Sequence, residues 1–239
     1  EYGERFLPYV QKALLVMDEG TNELKRMSGT APLMVRLGYF HSISSTLIPK
    51  IIEEIYNDPE NKNIRFQFIE DTSFDISTML KSEKLDFAFI TTRNDWAESI
   101  TVMKQPLYLA VPLEHPLAKQ PSVTFTDFMN EPLIVLDKGT SLRTQFDQAF
   151  KERGAIPNIV FEVHECNAAL QYVALNFGVS LLPSIPAMKT ERVAAIPIAE
   201  SGKEFVRTVY LTWKKDGNLL PAAQKVRNLI VERFTVSTI

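Results

Sequence analysis

The sequence predicts a hinged two-lobe α/β protein with a ligand cleft between its lobes, and three observations lead to this prediction. Segments with strand-like patterns alternate with segments that repeat apolar residues every three or four positions, as helices do. The run Leu85–Ile90 is nearly all apolar, which is typical of a strand buried on both faces. Two extended stretches, near 100–112 and 203–213, are long enough to cross between lobes, so we expect the second lobe to be inserted into the first.

Composition excludes several classes of protein. The chain has 239 residues, 45% of them hydrophobic and 23% charged, which suffices for a sizeable core. Its net charge is −3 and its basic residues are dispersed, so we expect no nucleic-acid footprint within these residues. No long apolar window and no basic-then-apolar start are present, so we expect neither a transmembrane helix nor a signal peptide. The single cysteine, Cys166, excludes an internal disulfide and fits a reducing cytoplasm.

Residues 1–27 predict a helix of their own. Apolar residues recur there in alternating steps of four and three, which is the seam of a coiled coil, and Ser28-Gly29-Thr30 ends the run. A narrow seam needs a partner, so we expect a self-pairing linker helix; an amphipathic helix docked on its own domain is the alternative. The seam residues are Phe6, Val10, Ala13 or Leu14, Met17, Leu24 and Met27.

The pattern from residue 33 to 92 predicts a βαβαβ unit. A hydroxyl-rich turn after the first strand leads into a helix over about 44–56, whose apolar residues lie on one face. Thr72-Ser73 opens the second helix, with Asp75 as an acid in its first turn. The predicted strands are Leu33–Gly38, Ile64–Ile69 and Leu85–Ile90.

The remainder of the chain predicts a second αβ half. Helices are expected near 126–129, over about 142–153, from a cap at Asn167, and from Pro221 onward. The predicted strands are Leu133–Leu136, Ile159–Val163, Val179–Leu182, Val193–Ile198 and Phe205–Trp213.

Hydroxyl and amide side chains follow the predicted strands where ligands of open α/β sheets bind. Three of these positions also open helices, and several helix N-termini that converge on a cleft favour an anion such as a carboxylate. Helix capping alone explains any one of these residues, but their recurrence at successive strand ends favours binding. The candidates are His41-Ser42 with Ser44-Ser45, Thr72-Ser73, Thr91-Thr92, Gly139-Thr140-Ser141 and Asn167.

Sequence motifs for catalysis and metal binding are missing. His41, His115 and His164 show neither HxxxH nor HExxH spacing, and the chain has no GxSxG and no phosphate-binding GxxxxGK[ST] loop. We therefore expect no catalytic residue, no metal and no cofactor. Arg93 and Arg143 lie near strand ends, where each is either a partner for an acidic ligand or a solvated arginine.

Several segments together resemble the effector-binding domain of LysR-type transcriptional regulators. The resemblance covers essentially the whole chain, in order and at suitable spacing; the string of motifs is specific, although no single motif is decisive. The matching segments are Gly3–Tyr9, Leu33–Gly38, Ser44–Pro49, Leu85–Ile90, Pro106–Pro112, His115–Ala118, Glu131–Ile134 and Gly178–Pro183.

The resemblance implies a periplasmic-binding-protein-like fold of type 2, in which each lobe is a mixed, mostly parallel sheet flanked by helices. The expected divisions are a linker helix at 1–30, lobe I at 31–103 and 205–239, and lobe II at 104–204. The implied function is to sense a small anionic metabolite in the cleft. The signal would reach promoter DNA through a helix-turn-helix head that this chain lacks.

The resemblance also implies contacts and partners. Ile43 stands where some relatives have a polar residue, which favours a partly apolar carboxylate over an inorganic anion. A homodimer or tetramer is expected, formed through the helix Phe6–Met27 and through Leu47–Ile55 facing the partner's second lobe. By position, the effector contacts are Phe40, His41, Ser42, Thr72, Thr91, Thr140 and Asn167.

Two alternatives remain open from the sequence. A solute-binding protein of a transporter shares the two-lobe fold, although the missing signal peptide and the linker-like helix argue against it. An enzyme on the same fold is the other, because Thr91-Thr92-Arg93 is similar to the threonine-arginine motif of prephenate dehydratases. No acid–base pair in the sequence supports that second alternative.

Overall fold

The computed structural model describes residues 2–27, 33–188, 191–200, 202–217 and 219–236. Its strands are β1 (Leu33–Tyr39), β2 (Ile64–Glu70), β3 (Phe87–Ile90), β4 (Ala97–Pro112), β5 (Pro132–Leu136), β6 (Asn158–Val163), β7 (Ser180–Pro183), β8 (Val193–Pro197) and β9 (Val206–Lys214). Its helices are α1 (Tyr2–Met27), α2 (Leu47–Tyr56), α3 (Ser73–Lys81), α4 (Phe125–Phe128), α5 (Ser141–Glu152), α6 (Cys166–Ala174) and α7 (Pro221–Phe234).

Two long strands, β4 and β9, join the two parts of the sheet. The strand order is β2-β1-β3-β9-β4-β7, and β8 also pairs with β4. The first half of β4 pairs with β9, whereas its second half pairs with β7 and β8. The pairs β1–β2, β1–β3 and β5–β6 are parallel, and each antiparallel pairing of the described strands involves β4 or β9. The fold is therefore mixed, as predicted, with both crossing segments extended.

The buried apolar residues divide in the same way. Two clusters draw on residues between 35 and 102 and between 209 and 230. Two other clusters draw on residues between 107 and 205. This division is the one a two-lobe fold would produce, since each half buries its own core. The predicted lobe boundaries at 103/104 and 204/205 stay a prediction.

A glycine in β1 allows α3 to pack close to the sheet. A Cβ atom at Gly38 would lie 2.5 Å from Cδ1 of Leu85 and 2.9 Å from Cγ2 of Ile76. Both of those side chains are buried, so neither has room to withdraw. Because of this close approach, the N-terminus of α3 lies near the end of β1, where the hydroxyl-rich turn begins.

Two predicted helix starts are wrong. The helix after β1 begins at Leu47 rather than 44, since His41–Ile43 form a 3-10 turn in which the Ser44 N–H donates to the His41 carbonyl at 2.9 Å. Serine and threonine favour such turns by offering local hydrogen bonds. The predicted cap at Asn167 is also displaced: Glu165 holds the cap position of α6, and its carbonyl accepts from the Ala169 N–H.

The N-terminal helix forms as predicted, over Tyr2–Met27. Its seam side chain Phe6 is 65% exposed and Met17 is 68% exposed. The predicted stop at Ser28-Gly29-Thr30 and the side chains of Leu24 and Met27 lie outside the described residues. No helix within the described ranges has both the length and the apolar character needed to cross a bilayer.

Candidate functional site

A cavity of about 220 Å³, called here the inner cavity, lies where the strand ends meet. The turn after β1 and the start of α3 form one side, and the starts of α5 and α6 form the other. Its wall is part apolar, through Phe40, Leu136 and Leu142, and part polar. The polar lining residues are His41, Ser42, Glu70, Asp71, Thr72, Ser73, Thr140, Ser141, His164, Glu165 and Arg207.

Five of the seven predicted contact residues line the inner cavity. They are Phe40, His41, Ser42, Thr72 and Thr140. Thr91 instead lines an adjoining cleft, and its N–H and hydroxyl donate to the Ser73 hydroxyl at 3.0 and 3.1 Å. Asn167 is exposed and does not line the inner cavity. A contact between any of the seven and a ligand stays a prediction.

Three helix N-termini face the inner cavity. Thr72 caps α3 by accepting from the Asp75 N–H at 3.2 Å, and Thr140 caps α5 by accepting from the Arg143 N–H at 3.2 Å. At α6 no side chain makes a cap hydrogen bond. The first-turn N–H groups and the positive ends of three helix dipoles therefore converge on one small space, which favours an anion there.

Arg207, in β9, is the residue that sequence reasoning missed. Its side chain is 3% exposed, and Nη2 donates to Ser42 Oγ at 2.7 Å and to Gln105 Oε1 at 2.5 Å. Nε also donates to Gln105 Oε1, at 3.1 Å, and the guanidinium carbon lies 4.7 Å from the centre of the Phe40 ring. The signal was available, because Arg207 occupies the same alternating face as the buried Phe205 and Val209.

The charge of Arg207 lacks a compensating anion. Within the described ranges, no carboxylate lies within 4.0 Å of Arg207, and its Nη1 nitrogen has no hydrogen-bond partner. Burial lowers the pKa of Arg207 from its ordinary value to about 10, so the side chain stays protonated near neutral pH. A buried cation held only by neutral groups is costly, and a bound anion would remove part of that cost.

The mouth of the inner cavity is acidic. Nδ1 of His41 contacts a carboxylate oxygen of Glu70, and Nε2 of the same ring lies 3.5 Å from Oε2 of Glu165. Each of these three side chains is about two-fifths exposed. The histidine therefore spans from the end of β2 to the start of α6, with acceptor oxygens on both sides.

Cys166 lines the inner cavity but is buried. Burial raises the pKa of the thiol to about 11, so the reactive thiolate is scarce at neutral pH. Cys166 therefore contributes a small apolar surface to the wall of the cavity.

The two other candidate arginines are engaged elsewhere. Arg143 is 5% exposed and donates to Asp147 at 2.9 Å and to Glu162 at 3.0 Å. Burial acts to lower the pKa of Arg143, but the hydrogen bonds to these two carboxylates outweigh it and raise the pKa. Arg93 stacks on the ring of Tyr210, 5.0 Å from its centre. Neither arginine lines the inner cavity.

The chain is similar to known transcriptional regulators over most of its length. The family profile described as the LysR substrate binding domain matches residues 31–235. YybE of Bacillus subtilis, an HTH-type transcriptional regulator described as uncharacterized, is 30% identical over 237 residues, which are 98% of this chain and 80% of YybE.

Solved structures of the same family share the fold. The effector-binding domain of QuiR, in complex with shikimate, has a TM-score of 0.78 and 25% identity and covers 84% of this chain and 96% of its own. HinK, a LysR family regulator of Pseudomonas aeruginosa, has a TM-score of 0.73 and 22% identity and covers 98% of this chain and 81% of its own. The relatives are transcriptional regulators rather than transporter proteins, and with the profile match they show that this chain belongs to the LysR substrate-binding domain family.

Proposed function

We propose that this domain senses a compact carboxylic acid, which binds in the inner cavity with its carboxylate on Arg207 and Ser42. The observation that carries the proposal is the buried Arg207 guanidinium, which is paired with neutral groups only in the described structure. A carboxylate there would accept from a guanidinium and from helix N–H groups, and these charge-assisted hydrogen bonds are among the strongest available.

The rest of the ligand is inferred from the other walls. Phe40, Leu136 and Leu142 fit a partly apolar body, such as a single ring. Glu70 and Glu165 at the mouth fit hydroxyl or amine donors on the far side of that ring. QuiR, whose domain was solved with the cyclic hydroxy acid shikimate, supports this class of ligand.

Among the predicted contacts, we propose direct roles for Phe40, His41, Ser42, Thr72 and Thr140, since these line the cavity. Thr91 would act through Ser73, whose hydroxyl it holds.

We propose that the signal passes from ligand to DNA by a change in how two lobes sit together. The lobes would be 31–103 with 205–239, and 104–204, each with its own buried clusters. Because the relatives are HTH-type regulators, promoter binding would belong to a helix-turn-helix head joined through α1, acting in the cytoplasm. The role proposed is sensing, without a catalytic step.

We further propose a homodimer in which lobe I of one copy faces lobe II of the other. Two exposed aromatic patches support it, and each lies beside a strand paired on one side only among the described strands. Tyr56 and Phe68 pack around Phe66 at β2, next to α2 (Leu47–Tyr56). Phe161, Tyr172 and Phe177 pack together at β6 and α6. In an antiparallel pair the lobe I patch of each copy would be buried against the lobe II patch of the other. The exposed α1 side chains Phe6, Leu14 and Met17 would extend the interface.

Ligand sensing is tested by thermal shift with a panel of cyclic hydroxy acids that includes shikimate, each beside its uncharged methyl ester. A ligand at a hundred times its dissociation constant adds about 2.7 kcal/mol of stability. We expect acids, not esters, to stabilise the wild type and the control Ser45→Ala, whose residue is exposed in the same turn. Ser42→Ala should weaken the acid about tenfold. An acid bound equally by Ser42→Ala would contradict this site.

The dimer is tested by light scattering after size exclusion. We expect wild type to run as a dimer and the pair Phe68→Ser with Phe177→Ser to shift it toward monomer. Ile156→Ser is the matched control, since Ile156 is 91% exposed and lies in neither patch. An unchanged mass for the double variant would exclude this interface.

A further inference from the structure

A second space, called here the side cleft, adjoins the inner cavity. Its volume is about 1020 Å³, against about 220 Å³ for the inner cavity. Ser73, Ser141 and Arg207 line both spaces. The remaining walls come from α3, the segment 91–96, the first half of α5 and the crossing strands. The carboxylic acid proposed for the inner cavity would not occupy this larger space, so the side cleft has no role in that proposal.

The side cleft is electropositive. Its described lining includes Lys81, Lys104 and Arg207 and no acidic residue, whereas Glu70 and Glu165 line the inner cavity. In the part of the chain that the structure describes, neither lysine has a carboxylate within 4.0 Å. Two ammonium groups and one buried guanidinium therefore face a common space without their own counter-ions, which favours an anionic occupant.

Hydroxyl groups in the side cleft have protons to donate. Nine of the nineteen described lining residues carry a hydroxyl, and those of Thr78, Thr91 and Thr144 donate within the protein. Ser73 is buried and accepts from the Thr91 N–H at 3.0 Å, and Ser77 accepts from Asn94 Nδ2 at 3.3 Å. Since both oxygens already act as acceptors there, each hydroxyl proton is free to reach an acceptor in the cleft. A buried hydroxyl donor such as that of Ser73 needs a hydrogen-bond acceptor.

We propose that the side cleft binds a sugar phosphate. A phosphate monoester carries nearly two negative charges at pH 7 and offers three strong acceptor oxygens, which match two ammonium groups and the serine donors. A monocarboxylate offers half that charge. The remaining hydroxyls match a polyhydroxylated body, and the rings of Trp96 and Tyr210 provide flat faces for it. The volume lies at the upper end of the range for small-molecule sites.

The test is isothermal titration calorimetry with three probes: ribose 5-phosphate, ribose and succinate. We expect ribose 5-phosphate to bind at least ten times more tightly than either of the others. Lys81→Gln and Lys104→Gln should each weaken it about tenfold, because each removes one charge-assisted hydrogen bond. Lys151→Gln is the matched control, since Lys151 is an exposed lysine of α5 that does not line the side cleft. Both target lysines are exposed, so the variants should fold, which circular dichroism checks.

Three outcomes would overturn the proposal: no binding of ribose 5-phosphate, equal binding of succinate, or affinity unchanged in the Lys81 and Lys104 variants. The carboxylate screen described above reports on the inner cavity separately through Ser42→Ala. An acid that binds in a Ser42-dependent way, with no binding of ribose 5-phosphate, refutes the side-cleft proposal alone. Lysine-dependent binding of ribose 5-phosphate, with no acid bound, refutes the carboxylate proposal alone.

Discussion

Replacing Arg207 by methionine should weaken ligand binding without destabilising the empty domain. Burial lowers the pKa of Arg207 from its ordinary value to about 10, which corresponds to a penalty of about 3 kcal/mol on the charged side chain in the folded state. Methionine removes that penalty. It also leaves the buried Gln105 oxygen without its donor, which costs about 1–3 kcal/mol. The net change is a stability equal to that of the wild type or up to about 2 kcal/mol greater.

The affinity for a carboxylate, in contrast, should fall in the Arg207→Met variant. Removing one partner of a buried charge pair costs about 2–5 kcal/mol of binding, so the dissociation constant of a carboxylate should rise at least about thirtyfold. Urea unfolding with and without the acid found by thermal shift gives both quantities in one experiment. The midpoint of the empty variant should match or exceed that of the wild type, while the ligand-dependent increase disappears.

Arg36→Met is the matched control for this reasoning. Arg36 Nη2 lies 2.7 Å from Oδ1 of Asp86, whose side chain is 4% exposed. Removing that side chain takes away the cationic partner of a buried carboxylate, which keeps only the backbone N–H of residue 36 as a described donor, and should destabilise the domain by about 1–3 kcal/mol. The two arginine-to-methionine substitutions should thus change the free energy of unfolding in opposite directions or by clearly unequal amounts. If Arg207→Met destabilises the empty domain as much as Arg36→Met does, the account of an uncompensated cation is wrong.

Two further predictions concern stability. Because burial raises the pKa of Cys166 from 9.0 to about 11, the unfolded chain loses this proton first as pH rises, and stability should fall by about 2–3 kcal/mol between pH 9 and 11. Cys166→Ala should remove that component, and equal slopes in urea titrations of both proteins would contradict it. Gly38→Ala should cost about 1–3 kcal/mol, because the new methyl group meets Leu85 and Ile76 in a packed core. A free energy of unfolding within about 0.3 kcal/mol of the wild-type value would show that α3 can withdraw.

Local patterns determine the parts of the fold that were predictable. The apolar face of α2 repeats at helical spacing, and Thr72 with Asp75 is a capping pair separated by three residues. Thr140 caps α5 through an equally short contact. Such features depend on neighbours within a few positions, so the sequence contains all of the information needed. The starts of α2 and α6 were misplaced because several adjacent polar residues could each begin a helix.

The centre of the candidate site depends on contacts that are distant in sequence. Arg207 meets Gln105 across 102 positions and Ser42 across 165. The position of Arg207 on the inward face of β9 predicts a buried cation. Only the packing of β9 against β4 and the turn after β1 shows that its hydrogen-bond partners are neutral. Arg143 is the opposite case. It also lies near a strand end, but two carboxylates neutralise its charge, and one of them lies in β6.

The position of Arg207 in a crossing strand suggests how binding energy could change the arrangement of the lobes. An anion on Arg207 and Ser42 faces the N-terminus of α3 on one side and those of α5 and α6 on the other. Attraction to both sides is strongest when the sides are close, so the proposed ligand would have a higher affinity for a closed arrangement of the proposed lobes. A difference of about 2.7 kcal/mol between closed and open affinities would shift their populations about a hundredfold. In the empty domain Arg207, Ser42 and Gln105 supply no such attraction, because all three lie on the turn after β1 or on the crossing strands. The anion would therefore add to the contact that His41 and Glu165 already make across the cavity.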